Sequence, residues 1–190
     1  MRAISMSEAQ RWEQEYQDGR WDFLHKLREA PRYGAIAAYL MQAKRPYRLL
    51  DVGCGDGVLM QYLHPDWLSG YVGVDLAQTA LDRFQGLPPG GVTRCADLAT
   101  YEPEGTFDAI LFNEVLFFTP DPVAEINRYR AALNPGGVMI VSLYVKDSGG
   151  AKTTLDAVHG LFTGPEWDLL DHCRLTTLGK GTRWQLYLAR

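Results

Sequence analysis

The chain has 190 residues, 46% of them hydrophobic and 12% aromatic, which supplies enough apolar material for a buried core and excludes disordered and fibrous classes. Its 19 lysine and arginine residues face 23 aspartate and glutamate residues without a long block of either sign, which argues against nucleic acid or a membrane surface as a partner. The three cysteines have no Cys-x-x-Cys or zinc-site spacing, so we expect a cytoplasmic protein without a metal site.

The first segment of the chain is predicted to form a helical cap. Ser7-Glu8-Ala9-Gln10 has the pattern of a capping box, which predicts a helix with Trp12 and Tyr16 on one face. A second helix is predicted after Pro31. The first residues lack the apolar stretch of a secretory signal, and the longest clean apolar run, residues 35–41, is far shorter than the roughly 18 residues that span a bilayer.

Strands and helices alternate from Arg48 onward. Residues 49–52 form a short apolar run that ends in a glycine-rich turn, which is typical of a buried parallel strand. Later strands are predicted at residues 71–74, 92–95, 107–112, 138–145, 167–175 and 183–189, the last two forming an antiparallel pair. The helices between them are predicted at residues 58–63, 77–85, 121–133 and 153–162.

This alternation predicts an α/β fold with a doubly wound, seven-stranded, mostly parallel sheet. We expect one domain over residues 1–190, in which residues 1–46 form the cap and residues 47–190 form the sheet core. Such a sheet binds its ligand outside the carboxyl ends of the strands, so the turns after the strands are the first candidates for a site.

The most informative turn follows the first strand and reads Asp51-Val52-Gly53-Cys54-Gly55-Asp56-Gly57. Three glycines at alternate positions let the backbone turn sharply and leave its polar groups open to a ligand. Asp75, at the end of the second strand, can accept hydrogen bonds from ribose hydroxyls. A nicotinamide dinucleotide would need glycine at Val58, and the flanking acids Asp51 and Asp56 disfavour its pyrophosphate. A ligand with a ribose, an adenine, an ammonium and a sulfonium fits better, and that ligand is S-adenosylmethionine.

Five segments resemble, in their order and spacing, the motifs of class I S-adenosylmethionine-dependent methyltransferases. They are LLDVGCGDG, VGVDLA, CADL, FDAILFNEVLFF and LNPGGVMIVSLY. The N-terminal segments WEQEYQDGRWDF and EAPRY are similar to the cap of small-molecule members, so the resemblance covers residues 8–145, and NEVLFF resembles the nodulation-type N-methyltransferases. The resemblance implies a Rossmann-like methyltransferase fold, S-adenosylmethionine as cofactor and a small-molecule acceptor.

The resemblance also implies which residues of the glycine turn and second strand bind the cofactor. Gly53, Gly55 and Gly57 would form the loop under its methionine part, with Asp51 near the ammonium group. Asp75 would hold both ribose hydroxyls. Cys54 lies within the same loop, where its small size explains its presence, and we assign no nucleophile there.

Further roles follow from the third and fourth strands. Asp97 would accept from the adenine amino group, helped by the backbone of Ala96 or Leu98, while Leu76 would pack on the ring. An aspartate at such a strand end also caps the following turn in many proteins, which is the alternative for Asp97. A pair of polar residues at the end of the fourth strand, Asn113 and Glu114, would face the methionine part and the acceptor.

The cap supplies the last candidates. Arg32 is expected to pair with the methionine carboxylate, because a guanidinium recognises a planar anion through two hydrogen bonds. Its alternative is a surface salt bridge with Glu29 or with another carboxylate of the cap. Tyr16, Trp21 or Tyr33 could close over the sulfonium, since an aromatic face stabilises a cation, although packing is the alternative for each ring.

The expected reaction needs an acceptor lone pair aligned behind the methyl carbon and no covalent enzyme intermediate. Many small-molecule relatives carry a histidine base after the fourth strand, but here Val115-Leu116-Phe117-Phe118 occupies that stretch. Glu114, His25, His159 and His172 remain as candidate bases, with Glu114 as the catalytic candidate. We therefore expect an amine nitrogen as acceptor, or else a hydroxyl.

Two other functions remain open: a non-catalytic partner subunit that binds S-adenosylmethionine, and a protein methyltransferase. DNA adenine methylation is disfavoured, because the end of the fourth strand lacks the proline-aromatic pattern that positions a flipped base. The chain length leaves no room for a separate substrate domain, so the acceptor pocket should lie between the cap and the turns after the fourth and fifth strands. We expect a monomer or homodimer.

Overall fold

The central feature of the computed structural model, which describes residues 7–179 and 181–190, is a seven-stranded sheet. Its strands are Tyr47–Val52 (β1), Leu68–Asp75 (β2), Val92–Cys95 (β3), Phe107–Asn113 (β4), Leu133–Tyr144 (β5), Leu169–Thr176 (β6) and Arg183–Ala189 (β7). Their order across the sheet is β3-β2-β1-β4-β5-β7-β6. The first five strands are parallel, and β7 runs antiparallel to both β5 and β6. The predicted doubly wound, mostly parallel sheet is confirmed.

Helices precede the sheet and connect its strands. They are Glu8–Gln17 (α1), Ala30–Leu40 (α2), Gln78–Asp82 (α3), Pro122–Arg130 (α4) and Gly149–Thr163 (α5). The predicted capping box is present, because Ser7 Oγ accepts from Gln10 N at 3.3 Å and Gln10 Oε1 accepts from Ser7 N at 2.9 Å. Each helix in the part of the chain described here is too short or too polar to cross a bilayer.

Apolar side chains alternate between the two faces of the sheet and build a core on each. Leu50 and Phe112 point to one face, where α4 and α5 cover them. Leu49 and Leu111 point to the other face, which α2 covers. This period of two is what strands buried on both sides require. Strands β2 and β4 lie on opposite sides of β1, so the order of the strands reverses at β1, and the crevice at the carboxyl ends of these parallel strands is the expected ligand site.

Several predicted boundaries shift, and hydrogen bonds explain why. The helix predicted over residues 77–85 ends at Asp82, because Gln85 N donates to Asp56 O at 3.3 Å and holds the chain against the glycine turn. The helix predicted to reach residue 133 ends at Arg130, because Ala132 O accepts from Phe107 N at 2.8 Å as the chain enters the sheet. The predicted helix at residues 58–63 is a 3-10 helix over Val58–Tyr62.

Strand β5 also starts earlier than predicted. Leu133 lies opposite Phe107 and Val138 lies opposite Ala109, so the turn over residues 134–137 is inserted between two paired positions of one strand. Helix α5 begins four residues before the predicted start at residue 153. Neither difference moves the carboxyl end of a strand at the crevice, so the expected ligand site is unaffected.

Candidate functional site

A cleft lies at the carboxyl ends of β1, β2 and β4, beneath α1 and the segment that follows it. All predicted cofactor-binding residues line it except Gly57 and Asp97, and the catalytic candidate Glu114 lines it as well. The predicted residues brought together there are Tyr16, Trp21, Arg32, Asp51, Gly53, Cys54, Gly55, Asp75, Leu76, Leu98, Asn113 and Glu114. The sequence therefore located one side of the site nearly completely, although the functional role of each residue remains a prediction.

The glycine turn is held in a conformation that other residues rarely adopt. Gly53, Gly55 and Gly57 have φ values of 76°, 55° and 83°, all in the left-handed region. A Cβ atom on Gly55 would lie 2.8 Å from the hydroxyl of Tyr16, so the backbone at Gly55 is in close contact with the cap. A Cβ atom on Gly57 would lie 2.7 Å from the ring of Phe84, which places Gly57 against the core rather than the cleft.

Asp75 is oriented by two backbone groups. Its Oδ2 accepts from Gly55 N and its Oδ1 accepts from Ala77 N, each at 2.9 Å. Burial raises the pKa of this carboxyl above its ordinary value, and the two N–H groups oppose that shift. A carboxylate has about four acceptor positions, so two remain for a ligand in the cleft. This arrangement suits a pair of vicinal hydroxyls.

Asp51 is the buried acid of the site. Its carboxylate accepts from the hydroxyl of Tyr71 at 3.0 Å. Burial raises its pKa from 3.8 to about 7, although the hydrogen bond from Tyr71 acts in the opposite direction. An acid with such a pKa carries partial charge at neutral pH, and a cationic group in the cleft would favour its ionised form.

Replacing Asp51 by asparagine should stabilise the protein at alkaline pH. When an acid has a higher pKa in the folded state than in the unfolded state, the folded protein loses stability as the pH rises from the lower pKa to the higher one. For Asp51 this interval runs from about pH 4 to about pH 7. Between pH 5 and pH 8, the unfolding free energy of wild type should therefore fall by roughly 2–4 kcal/mol more than that of Asp51→Asn. Urea denaturation at both pH values measures this, with the exposed Asp66→Asn as control. Parallel pH dependence of Asp51→Asn and wild type would contradict the prediction.

Arg32 is buried at the edge of the cleft, with 1% of its surface exposed. Its guanidinium donates to Glu29 Oε2 at 3.1 Å and to the side-chain oxygen of Asn113, and its Nη1 lies 4.0 Å from Glu114 Oε1. The ion pair with Glu29 that was the alternative for Arg32 does form. Both partners are buried, however, so it is not a surface salt bridge, and Arg32 lines the cleft as well.

Glu114 connects the end of β4 to β5. Its φ of 64° is left-handed, an uncommon conformation for a residue other than glycine and one that often marks a functional site. Its Oε1 accepts from Ser142 Oγ and its Oε2 accepts from Tyr144 N, both at 2.8 Å. Burial raises the pKa of Glu114, while the charge of Arg32 opposes that shift. The carboxylate is thus rigidly placed.

A second cavity of about 630 Å³ adjoins the cleft. Both are lined by Trp21, Leu24, Arg32, Glu114 and Phe118. The remaining lining comes from the cap, from the segments after β4 and β5, and from Thr182 and Trp184. A cavity therefore lies where the acceptor pocket was predicted. Sequence reasoning missed the contribution of β7, because no local motif marks Trp184.

Like Gly57, Asp97 and the candidate histidine bases lie outside both cavities. Asp97 is exposed and its Oδ1 accepts from Ala99 N at 2.9 Å, the turn-capping alternative, so its contact with adenine remains a prediction. The candidate bases His25, His159 and His172 line neither cavity in the described part of the chain. His25 instead contacts Asp56, with its Nε2 at 2.8 Å from Oδ2. Glu114 is the predicted base that reaches the site.

Aromatic rings of the cap and of the segment after β4 line the cleft together. Trp12 lies 5.3 Å from Trp21 and 4.6 Å from Phe118, and Tyr16 lies 6.2 Å from Trp21, measured between ring centroids. Sequence reasoning placed Trp12 on the face of Tyr16 without assigning it to the site. That shared helical face was the signal that could have found it.

The cap is fastened to the sheet core by α1. Glu13 accepts from Gln78 N at 2.6 Å and from Thr79 N at 3.0 Å, the first amides of α3. Arg83 donates to Tyr16 O at 2.7 Å. These contacts hold Tyr16 beside the glycine turn, where its side chain lines the cleft.

Parallel strands with a glycine turn after β1 and an acid at the end of β2 define the class of Rossmann-like nucleotide-binding proteins. Within that class, residues 15–179 match the family model described as a methyltransferase domain. This protein belongs to that methyltransferase family. The predicted resemblance to class I methyltransferases is confirmed.

Two relatives illustrate the range of the family. The ubiquinone biosynthesis O-methyltransferase of Bordetella bronchiseptica is 33% identical over 102 residues, which are 50% of this chain and 42% of the relative. The trans-aconitate 2-methyltransferase of Rhodopseudomonas palustris is 31% identical over 99 residues, which are 52% of this chain and 39% of the relative. The matched region spans less than half the length of these relatives.

Solved structures share the fold at low identity. The N-methyltransferase NodS from Bradyrhizobium japonicum WM9, in complex with S-adenosyl-L-homocysteine, has a TM-score of 0.73 at 16% identity, covering 91% of this chain and 92% of NodS. The 1,6-didemethyltoxoflavin-N1-methyltransferase of Burkholderia thailandensis has a TM-score of 0.71 at 19% identity, covering 100% and 92%. The [4+2]-cyclase SpnF has a TM-score of 0.64 at 17% identity, covering 83% and 80%. The Rossmann-like methyltransferase fold is confirmed.

Proposed function

We propose that this protein transfers a methyl group from S-adenosylmethionine to a small molecule, at an amine nitrogen or else at a hydroxyl. The observation that carries the proposal is the pair of adjoining cavities whose common wall contains Arg32 and Glu114. One cavity has the groups that S-adenosylmethionine requires, and the other is a separate space for an acceptor. Membership of the methyltransferase family supports the same reaction.

The residues of the cleft fit S-adenosylmethionine. The two free acceptor positions of Asp75 match its ribose hydroxyls, and the buried carboxylate of Asp51 offers a negative charge to its ammonium group. Arg32 would bind its carboxylate, and the rings of Tyr16 and Trp21 would cover its sulfonium. When bound, S-adenosylmethionine supplies a methyl group whose bond to sulfur breaks with the electron pair left on sulfur, so the donor needs no activation by the protein.

The chain itself would position the acceptor, exclude water and take up a proton. The aromatic rings that line the cleft would keep water away from the reacting atoms. Glu114 is the carboxylate at the boundary between the cavities, so it would accept the proton that leaves the acceptor nitrogen. No histidine lines either cavity among the described residues, which favours an amine over a hydroxyl acceptor that must lose its proton as attack develops.

An unbiased acceptor screen tests the proposal. Purified protein is incubated with labelled S-adenosylmethionine and fractions of a small-molecule extract, and mass spectrometry follows both S-adenosylhomocysteine and methylated products. We expect one small-molecule product per molecule of S-adenosylhomocysteine. Cofactor binding without a product in any fraction would favour the partner-subunit alternative, and label found only in protein would favour a protein methyltransferase. Absence of cofactor binding would refute the proposal.

Replacing Glu114 by glutamine should lower kcat by roughly a hundredfold or more, because a positioned base typically contributes that much. Wild-type kcat should rise with pH through the raised pKa of Glu114, because only the ionised carboxylate accepts a proton. The variant should lack this rise. The measurement is kcat from pH 5 to pH 8 with the best acceptor of the screen, with the exposed Glu102→Gln as control. A variant that is slower yet keeps the rise with pH would show that Glu114 only positions its neighbours.

A further inference from the structure

The second cavity is unusual in its aromatic lining. Six aromatic side chains line it: Trp21, Phe23, Phe117, Phe118, Tyr144 and Trp184. Phe118 and Tyr144 are 43% and 36% exposed, whereas most large apolar side chains described in this protein are buried. Exposed rings around a concave space mark a ligand site, and rings prefer to pack against other flat groups.

The same cavity carries more positive than negative charge. Arg28, Arg32 and Lys146 line it together with Glu29 and Glu114. The two carboxylates are already engaged. Glu29 lies 3.3 Å from Arg28 Nε and 3.1 Å from Arg32 Nη2, so two arginines share it. Glu114 accepts hydrogen bonds from β5 on both of its oxygens and lies 4.0 Å from Arg32.

Lys146 is the remaining charged side chain of the cavity. It forms no ion pair with any residue in the described ranges, and its neighbour Asp147 is bound to Arg183 at 2.6 Å. A lysine ammonium beside an apolar wall attracts an anion and repels a second cation. An acceptor that carries an ammonium group would meet a net positive cavity whose carboxylates are already paired.

We propose that the acceptor is a flat aromatic or heteroaromatic acid, whose rings pack within the aromatic walls and whose carboxylate pairs with Lys146. This inference rests on the proposed function and adds the class of substrate. The volume of about 630 Å³ lies within the range of about 300–1,000 Å³ found for ligand pockets, and it accommodates a fused two-ring compound. The group to be methylated would then lie on the far side of the ring system, toward Glu114.

The test compares two compounds that differ only in charge. The protein is saturated with S-adenosylhomocysteine, and calorimetry measures the binding of 6-amino-2-naphthoate and of 6-amino-2-naphthamide. Hydrogen bonds to a charged group contribute about 1.5–3 kcal/mol, so the naphthoate should bind about tenfold to a hundredfold more tightly. The variant Lys146→Met should bind both compounds equally. The matched control Lys44→Met, an exposed lysine outside both cavities, should keep the preference of wild type.

The other possible results distinguish a wrong substrate class from a wrong function. Equal binding of the two compounds by wild type, or tighter binding of the naphthamide, would contradict the proposal that the acceptor is an acid. Tighter binding of the cationic 2-naphthylmethylamine than of the naphthoate would contradict the same proposal and indicate a basic acceptor. Binding of S-adenosylhomocysteine without binding of any naphthalene would overturn the substrate class and leave the proposed function standing. Failure to bind S-adenosylhomocysteine would instead count against the proposed function.

Discussion

Replacing Asp75 by alanine is expected to weaken the binding of S-adenosylhomocysteine by roughly a hundredfold or more. The proposed contacts are two hydrogen bonds from ribose hydroxyls to a carboxylate, and each such bond contributes about 1.5–3 kcal/mol. The substitution also removes the acceptor of Gly55 N and Ala77 N, so the turn loses its anchor to β2. Isothermal titration calorimetry of both proteins measures the effect.

Two further variants make the Asp75 result specific. Asp75→Asn keeps one oxygen and the shape of the side chain, so its loss should be intermediate and its circular dichroism spectrum should match wild type. Asp66→Ala, an exposed aspartate outside the cleft, should bind like wild type. An affinity of Asp75→Ala within threefold of wild type would remove Asp75 from the cofactor site.

Replacing Arg32 by methionine should lower the unfolding free energy by about 3–5 kcal/mol, because it removes one of the two arginines that pair with the buried Glu29 and also the cation beside Glu114. For a chain of this length, that loss corresponds to a fall in Tm of roughly 6–20 °C. Thermal and urea unfolding of the variant measure it. The exposed Arg20→Met, whose guanidinium lies 3.9 Å from Glu15, should change stability by no more than about 0.5 kcal/mol.

A double variant tests the cause of the Arg32 effect. Adding Glu29→Gln to Arg32→Met removes the buried carboxylate that has lost Arg32 as a partner, so part of the lost stability should return and the two substitutions should not be additive. Additive losses would mean that Arg32 stabilises the protein mainly by packing against Tyr33, whose ring lies 4.5 Å from the guanidinium. That outcome would contradict the ion-pair explanation.

The fold was predictable because its signals are local. Buried parallel strands produce continuous apolar runs, and each run from β1 to β4 was located within three residues of its observed bounds. The glycine turn and Asp75 were equally accessible, because a left-handed backbone and a strand-end carboxylate depend on residues adjacent in sequence. Helix ends were less accessible, since the end of α3 is set by a hydrogen bond from Gln85 to Asp56.

The acceptor side of the site was less predictable because its groups come from distant parts of the chain. Trp184 lines the second cavity from the last strand, and Lys146 lines it from the segment after β5. Neither belongs to a local pattern. The sequence also left open whether Arg32 pairs with Glu29 or with a ligand, and burial places it in a network where it contacts Glu29 and lines the cleft.

The position of β7 has a consequence for the order of folding. This strand follows the cap and the other described strands in the sequence, yet it lies between β5 and β6, and its Trp184 lies 5.9 Å from the guanidinium of Arg32 in the cap. Strands β5 and β6 therefore cannot join one sheet until β7 inserts between them. The second cavity gains Trp184 at this step, whereas no β7 residue lines the cleft, so only the second cavity depends on the insertion of β7.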